Sequence, residues 1–166
     1  MADEPVGPNY QALAELRYQI RRFLRFSENA ARQAGIEPQQ YQLLMAIKGL
    51  PENAKPNIRI LAERMQLQHH STVELVDRLV ERGLLFRLRS TDDRRQVLVN
   101  LTHEGERFLE TLALHHLQEW QSAGPTFLKL VGAVIYNAEQ SASTHEASKE
   151  NLTEALYKQR KDRSHG

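Results

Sequence analysis

Four arginines cluster in the middle of the chain, and their side chains are suited to binding phosphate. They are Arg87, Arg89, Arg94 and Arg95. A guanidinium group stays charged and presents several donors in one plane, which matches the oxygens of a phosphate. Asp92 and Asp93 precede the last two arginines, and one of these carboxylates is predicted to orient them through a charge-assisted hydrogen bond. The cluster indicates contact with a nucleic-acid backbone, whereas a solvated surface loop is the plainer interpretation.

A short polar run is the second candidate contact set. It consists of Gln68, His69, His70, Ser71 and Thr72. Amide, imidazole and hydroxyl groups hydrogen-bond to base edges and to phosphate oxygens. Because the run comes just before an apolar stripe, we expect it at the N-terminal end of a helix, facing DNA.

Two short amphipathic helices are predicted around this run. Asn57 caps the first helix, whose apolar positions recur every three or four residues up to about Met65. After a tight connection, Ser71 and Glu74 have the spacing of a capping box for the second helix, and Gly83 ends it. Two helices joined by so short a turn are typical of a helix-turn-helix.

The hydrophobic period changes to two after the second helix. Phe86 and Leu88 alternate with arginines, and another alternating segment runs from Val97 to Leu101. Two strands therefore flank a loop and form a hairpin that carries the arginine cluster. A helix-turn-helix followed by such a wing is the winged-helix arrangement, in which the second helix enters a major groove and the wing reaches the neighbouring backbone or minor groove. In that setting a merely solvated loop is the weaker interpretation.

The same segments are similar to those of a known family. STVELVDRLVERGLLFR, followed by DDRR and LVNLTHEG, resembles the recognition helix, wing tip and next helix start of MarR-type transcriptional regulators. The resemblance extends from Tyr10 to Tyr136. It implies a winged helix on a homodimer, double-stranded DNA as the partner, and repression from an operator that a small ligand or an oxidant relieves. The run His69-His70-Ser71 departs from the family pattern, which leaves the operator sequence open.

Composition limits the classes of protein and of site. The chain has 166 residues, 40% of them hydrophobic, and a net charge of only +1, so attraction to phosphate must come from the local arginine cluster. There is no cysteine, which excludes disulfides, cysteine-ligated metal and thiol-oxidation sensing. No cofactor is expected. With the elements above, the predicted fold class is mainly α with a small β-hairpin wing, a winged helix-turn-helix on a helical dimerisation platform.

Long helices on both sides of the winged helix are predicted to form that platform. A helix from Tyr10 to the Gly35 stop would be about 37 Å long, more than one small domain needs. Thr102 caps another helix that ends at Gly124-Pro125, and a last helix reaches about Tyr136. The surplus apolar stripes predict a twofold dimer with two recognition helices about 34 Å apart.

The predicted domain organisation follows from these elements. Residues 1–9 form a flexible N-terminus, residues 10–35 and 102–138 the dimerisation region, and residues 36–101 the winged-helix DNA-binding domain. Residues 139–166 form a polar tail, in which a frayed terminus is favoured over a short helix. Since residues 1–9 have no apolar core, neither a signal peptide nor an anchor is predicted, and the protein is expected in the cytoplasm.

Aromatic residues raise the question of an effector cavity. Tyr18, Phe26, Tyr41 and Trp120 are candidates for lining a cavity between the dimer helices and the winged lobe, although ordinary core packing is the favoured interpretation of each. Neighbouring histidines on a helix point about 100° apart and do not easily share a metal ion. We therefore expect no metal site, and we expect His115 and His116 on a helix surface or at a dimer contact.

Two other functional classes compete with DNA binding. An enzyme is not expected, because Ser71 and His70 are adjacent on a helix and cannot converge with Asp77 as a triad requires. The stronger rival is a winged-helix module that binds other proteins and never contacts DNA. A wing that only docks a protein has no need of four exposed guanidinium groups, which favours DNA.

Overall fold

The computed structural model describes the backbone of residues 8–90 and 96–162 and the side chains up to residue 143. The described elements are five helices and two strands: α1 Tyr10–Gln33, α2 Pro38–Lys48, α3 Ile58–Met65, α4 His69–Glu81, β1 Leu85–Arg89, β2 Val97–Leu101 and α5 His103–Asp162. This composition confirms the predicted fold class, a mainly helical chain with a two-stranded wing. The chain divides into two compact units, one from Phe23 to Gln121 and the other formed by Met1–Arg22 with Ser122–Gly166.

Apolar side chains from α2, α3, α4 and the hairpin form the core of the unit from Phe23 to Gln121. Its fully buried members are large aliphatic residues of these elements, with Thr72 beside them: Leu43, Leu44, Leu61, Leu79, Leu85, Val76 and Val99. Burial of each large aliphatic side chain contributes about 1.5–3 kcal/mol, so this shared core fixes α4 against its neighbours. Helix α4 is therefore held in place by a packed core.

A tight connection joins α3 to α4, as the sequence predicts. The Asn57 side chain accepts a hydrogen bond from the Ile60 amide at 3.0 Å and caps α3. The helix ends at Gln66, whose φ of 54° is left-handed, and the Leu67 amide then donates to the Ala62 carbonyl at 3.0 Å. However, α4 begins at His69 with Gln68 as its N-cap, so the predicted capping box at Ser71 is wrong. Residues 69–71 thus form the first helical turn.

The hairpin is antiparallel, and Arg87 lies opposite Val99 in its register. Residues directly opposite one another share a face of the sheet. Leu85 and Val99 are buried, so the face that carries Arg87 is turned toward the core. Phe86 and Leu88 lie on the other face and remain 42% and 52% exposed. The alternation was predicted correctly, and of the apolar residues in β1, Leu85 faces the core while Phe86 and Leu88 face outward.

The C-terminal helix differs most from the prediction. Thr102 caps it, because the Thr102 Oγ1 atom accepts the Gly105 amide at 3.0 Å, but the helix then continues through Pro125 to Asp162 without a break. An interior proline removes one backbone hydrogen bond, at a cost of about 3 kcal/mol, and the helix nevertheless continues on both sides of Pro125. The predicted helix end at Gly124-Pro125 and the favoured frayed tail are therefore wrong.

In the second unit, the start of α1 contacts α5. The Asn9 amide donates to Asn137 Oδ1 at 2.9 Å, and Asn9 Oδ1 accepts the Ala12 amide at 2.9 Å. Several large apolar side chains of this unit stay exposed: Tyr10, Leu13, Tyr18, Ile20, Leu128, Ile135 and Tyr136. The predicted flexible N-terminus falls mostly on residues 1–7, which lie outside the described residues. Within the described part of the chain, no helix combines the length and apolar character needed to cross a membrane.

Candidate nucleic-acid interface

The first turn of α4 presents most of the predicted polar run to solvent. Gln68, His69 and His70 are exposed, and Ser71 is half-buried. The Gln68 side chain does not cap the helix, while its carbonyl accepts the Thr72 amide at 3.0 Å. The amides of the first turn therefore have no partner within the helix and point outward beside the two imidazoles. Such a helix start can donate hydrogen bonds to a phosphate while the side chains reach base edges.

Thr72 does not belong to this surface. Its side chain is fully buried, and its Oγ1 donates to the Gln68 carbonyl at 3.1 Å. The predicted contact between Thr72 and DNA is wrong for a physical reason: the position falls on the same helical face as the buried Leu75, Val76 and Leu79. Thr72 instead fixes the end of the helix that carries His69 and His70.

The two strand arginines have different surroundings. Arg87 forms an ion pair with Asp77 of α4, with 2.6 Å between Nη1 and Oδ1. Arg89 is exposed and forms no ion pair with any residue in the described ranges. The tip residues Asp92, Asp93, Arg94 and Arg95, which carry the rest of the predicted wing contacts, lie outside the described residues.

Asp77 is the residue that sequence reasoning missed. The sequence placed Asp92 or Asp93 as the acid that orients the wing arginines, whereas the structure pairs Arg87 with an acid on the recognition helix. On either side of Asp77 in the sequence of α4, Glu74 and Arg78 form a separate exposed pair at 3.5 Å. No local sequence signal pairs the two residues, because Asp77 and Arg87 lie in different elements and meet only where the hairpin folds back on the helix.

The far end of α4 is tied to the turn between α1 and α2. Arg82 Nη2 donates to the Gly35 carbonyl at 2.8 Å, and Nη1 donates to Gln40 Oε1 at 3.3 Å. Gln40 is itself buried and its side-chain oxygen accepts the Glu37 amide at 3.2 Å. The C-terminal end of α4 is thus held to the α1–α2 region by specific hydrogen bonds as well as by the core.

A cavity of about 1000 Å³ lies in the unit from Phe23 to Gln121. Its lining combines aromatic and apolar side chains with polar and charged ones, and includes Phe23, Ser27, Tyr41, Met45, Glu63, Arg64, Met65, His116 and Trp120. Of the aromatic residues predicted to line a cavity, Tyr41 and Trp120 do so. Phe26 lies edge-on to the rings of His115 and His116, at 5.2 and 5.5 Å between centroids. Tyr18 is exposed and is not a lining residue.

His116 is buried in the wall of this cavity, so the predicted helix-surface position is wrong for it. Its Nδ1 lies 2.7 Å from the Leu112 carbonyl, which can only accept, and therefore Nδ1 carries the proton. In a neutral imidazole with this tautomer, Nε2 is the acceptor for the Ser27 hydroxyl, 2.8 Å away. The ring stacks on Tyr41 at 4.9 Å, and burial raises the pKa of the Tyr41 phenol.

The described residues contain no group of three or more side chains suited to holding a metal ion.

Comparisons with known proteins agree with this geometry. Residues 34–96 match the model of the MarR family. The chain is 34% identical over 80 residues to the transcriptional regulator FarR of Neisseria gonorrhoeae, and 32% identical over 80 residues to the transcriptional repressor MdtR of Bacillus subtilis. These alignments cover 48% of this chain and 53% and 50% of the two relatives, so the chain spans about half the length of the curated relatives it matches.

Solved structures resemble a larger part of the chain. A Staphylococcus aureus MepR mutant bound to an oligodeoxyribonucleotide has a TM-score of 0.56 at 19% identity, covering 92% of this chain and 99% of that one. CouR of Rhodococcus jostii bound to p-coumaroyl-CoA has a TM-score of 0.61 at 24% identity, covering 84% and 95%. At these identities the likeness shows the fold.

Proposed function

We propose that the protein, whose residues 34–96 match the model of the MarR family, is a DNA-binding transcriptional regulator that represses as a homodimer on a palindromic operator. The observation that carries the proposal is the exposed first turn of α4, with its outward amides and the side chains of Gln68, His69 and His70. The curated relatives are a transcriptional regulator and a transcriptional repressor, which supports regulation rather than an enzymatic role.

Two sets of residues would contact DNA. Gln68, His69, His70 and Ser71 would meet base edges and phosphates in the major groove, where each good base contact contributes about 1–3 kcal/mol of discrimination. On the wing, Arg89, Arg94 and Arg95 would bind the flanking backbone or minor groove, with Asp92 or Asp93 orienting the tip. The phosphate contacts would supply affinity, and the helix contacts would supply sequence preference.

A second copy of the chain accounts for the exposed apolar side chains of the unit formed by Met1–Arg22 and Ser122–Gly166. Tyr10, Leu128 and Tyr136 are 75%, 73% and 64% exposed. Burial of such apolar side chains against a partner chain is energetically favourable. In this proposal residues 10–35 and 102–138 form the dimerisation region and residues 36–101 the DNA-binding domain. A twofold dimer presents its two recognition helices to successive turns of one face of DNA.

The cavity is the proposed effector site. The structures of CouR and NadR hold p-coumaroyl-CoA and 4-hydroxyphenylacetate, which both carry an aromatic ring, and the cavity of this chain is lined in part by aromatic side chains, among them Tyr41 and Trp120. An effector would relieve repression by binding one conformation of the dimer better than the other, and its effect is limited by that difference in affinity. Trp120 is the single tryptophan of the chain, so its fluorescence reports on the cavity directly.

One observation favours a different function. Phe86 and Leu88 give the wing an exposed apolar outer face, which would suit a winged helix that docks onto another protein. The two functions differ in their need for duplex DNA, and one experiment separates them.

That experiment is selection of bound duplexes from a random pool, followed by a gel-shift salt series on the selected sequence. We expect a palindromic consensus and a fall in affinity of about a thousandfold or more between 50 and 200 mM salt, because several phosphates are neutralised. Arg94→Ala should weaken binding to all sequences alike, whereas His70→Ala should change which sequence is preferred. A chain that is monomeric, or that has no affinity for any duplex at low salt, would contradict the proposal.

A further inference from the structure

Asp77 and Arg87 link the recognition helix directly to the wing. Their 2.6 Å contact joins α4 to β1, and the two side chains are 46% and 34% exposed. Arg87 shares its sheet face with Leu85 and Val99, which are buried, so its side chain leaves the strand on the side of the helix. The guanidinium group is therefore directed at Asp77 and away from the outer face of the wing.

The base of the hairpin is held on both of its strands. On β2, the Val99 amide donates to the Pro56 carbonyl at 2.8 Å, and Leu98 forms an isolated bridge with Asn57. These contacts tie β2 to the start of α3. On β1, the Arg87–Asp77 pair is the ion pair among the described residues that ties the strand to α4. Loss of this pair would leave β1 held to α4 through apolar packing and through the backbone hydrogen bond from Leu84 to Leu79 at the root of the strand.

We infer that Asp77 and Arg87 form a strut that sets the position of the wing relative to the recognition helix, and that Arg87 is a positioning residue rather than a phosphate ligand. The inference rests on the proposed DNA binding and changes the role predicted for Arg87 within it. A guanidinium group paired with a carboxylate at 2.6 Å forms a pair with no net charge, so the pair as a whole attracts a phosphate only weakly. Arg89, two residues further along the same strand, is exposed and forms no ion pair with any residue in the described ranges, so it is the strand arginine that we assign to phosphate contact.

The direction in which one substitution changes DNA affinity separates a purely electrostatic role of Asp77 from a positioning role. Asp77 is an acid close to the proposed DNA surface, so if its only effect were electrostatic, Asp77→Ala would raise affinity for a polyanion. If Asp77 positions the wing, the same change lowers affinity although it removes a repulsive charge. For a half-exposed ion pair we expect a fall of about three- to fivefold.

The experiment measures binding of the full chain to a duplex recovered by selection, at several salt concentrations, for the wild type and four variants. The variants are Asp77→Ala, Arg87→Ala, the double variant, and Arg89→Ala as the matched control. Both single variants should bind about three- to fivefold more weakly, and the double variant should be no weaker than either, because one strut is lost in each case. The slope of log affinity against log salt should stay at the wild-type value in Arg87→Ala and should become shallower by about one in Arg89→Ala.

Three results would overturn the inference: tighter binding by Asp77→Ala, additive losses in the double variant, or a shallower salt slope in Arg87→Ala. Amide hydrogen exchange of the DNA-free chain tests the strut without any duplex. Asp77→Ala should speed exchange in the hairpin while leaving α2 unchanged, and unchanged hairpin exchange would refute the strut. If the wild type binds no duplex but the hairpin still loosens, the proposed function has failed and the strut has not.

Discussion

Glycine at position 105 is required by a close backbone contact, and replacing it gives a prediction of unexpected sign. Gly105 lies in the first turn of α5, where the helix start meets the root of the wing. A Cβ atom added there would lie 2.1 Å from the carbonyl oxygen of Leu84 and 3.0 Å from its carbonyl carbon. That oxygen is fixed, because it accepts the Thr102 amide at 3.0 Å. The Thr102 hydroxyl in turn donates to the Gly83 carbonyl at 2.6 Å.

Helix propensity alone predicts that Gly105→Ala is stabilising, by about 1 kcal/mol. The contact predicts the reverse. Relieving the overlap means shifting backbone at the wing root, which costs about 1–3 kcal/mol as overpacking does, and stretching the bond from Thr102 costs about 1 kcal/mol more. The net expectation is a loss of about 1–3 kcal/mol in the free energy of unfolding.

Urea unfolding followed by far-UV circular dichroism measures this loss, with all proteins at the same concentration because a dimer's stability depends on it. Gly132→Ala is the matched control on the same helix, since an added Cβ there has no atom within 4 Å. The control should gain up to about 1 kcal/mol. If Gly105→Ala were as stable as the wild type or more so, the described packing of the α5 start against Leu84 would be refuted.

Three further predictions concern single side chains. Burial raises the pKa of Tyr41 in the folded protein, so the unfolded chain loses the Tyr41 proton first as pH rises. The free energy of unfolding therefore falls between the ordinary tyrosine pKa and the raised pKa of the folded state. Tyr41→Phe should remove this alkaline loss of stability in urea titrations, and an unchanged loss would contradict the prediction. The hydrogen bond from Lys48 and its charge lower the pKa of Glu106. The contribution of the pair to stability is therefore present above the ordinary pKa of glutamate and is lost as pH falls through the lowered pKa. Lys48→Ala should return the carboxyl to its ordinary titration by NMR, and no change would exclude the pair. Thr72→Val should lower stability by about 1 kcal/mol and leave DNA affinity per folded molecule unchanged, whereas altered sequence preference would return Thr72 to the contact surface.

The helix-turn-helix could be predicted from sequence because its signals are local. Asn57 caps α3 and Gly83, with φ of 72°, ends α4, and each lies where a short stretch of sequence indicates it. The break predicted at Pro125 failed because a local rule was applied to a long helix. A proline imposes a cost at one turn, and whether the helix ends there depends on the turns on either side.

Local sequence signals could not predict which face of the hairpin covers the core. A period of two says that Phe86 and Arg87 lie on opposite faces, but not which face covers the core. Apolar Phe86 would ordinarily be assigned inward. The structure instead turns Arg87 toward α4, where Asp77 neutralises it, and leaves Phe86 42% exposed. The acid that decides the choice lies in another element, so no window on the strand contains the information.

His116 shows the same dependence on contacts distant in sequence. Adjacent histidines on a helix indicate surface positions when only their own helix is considered. Ser27 and Tyr41 lie 89 and 75 residues away along the chain, and only the packing of α1 and α2 against α5 within this unit brings them to the imidazole. Burial of His116 is favourable because each ring nitrogen has a partner there.

The cavity and the recognition helix share one short connection, and this gives the proposed effector a physical route to DNA. Residues of α3, among them Glu63 and Met65, line the cavity, and the helix ends at Gln66 in a left-handed conformation. The Leu67 amide bonds back to Ala62, so the turn is fixed to α3, and Gln68 then starts α4. A movement of α3 is therefore passed to the first turn of α4 without a flexible linker to absorb it. The ends of α4 differ in this respect, because Arg82 holds the far end to Gly35. An effector that displaced α3 would thus tilt α4 about its C-terminal end and move His69 and His70, the residues proposed to read the operator, more than any other part of the helix.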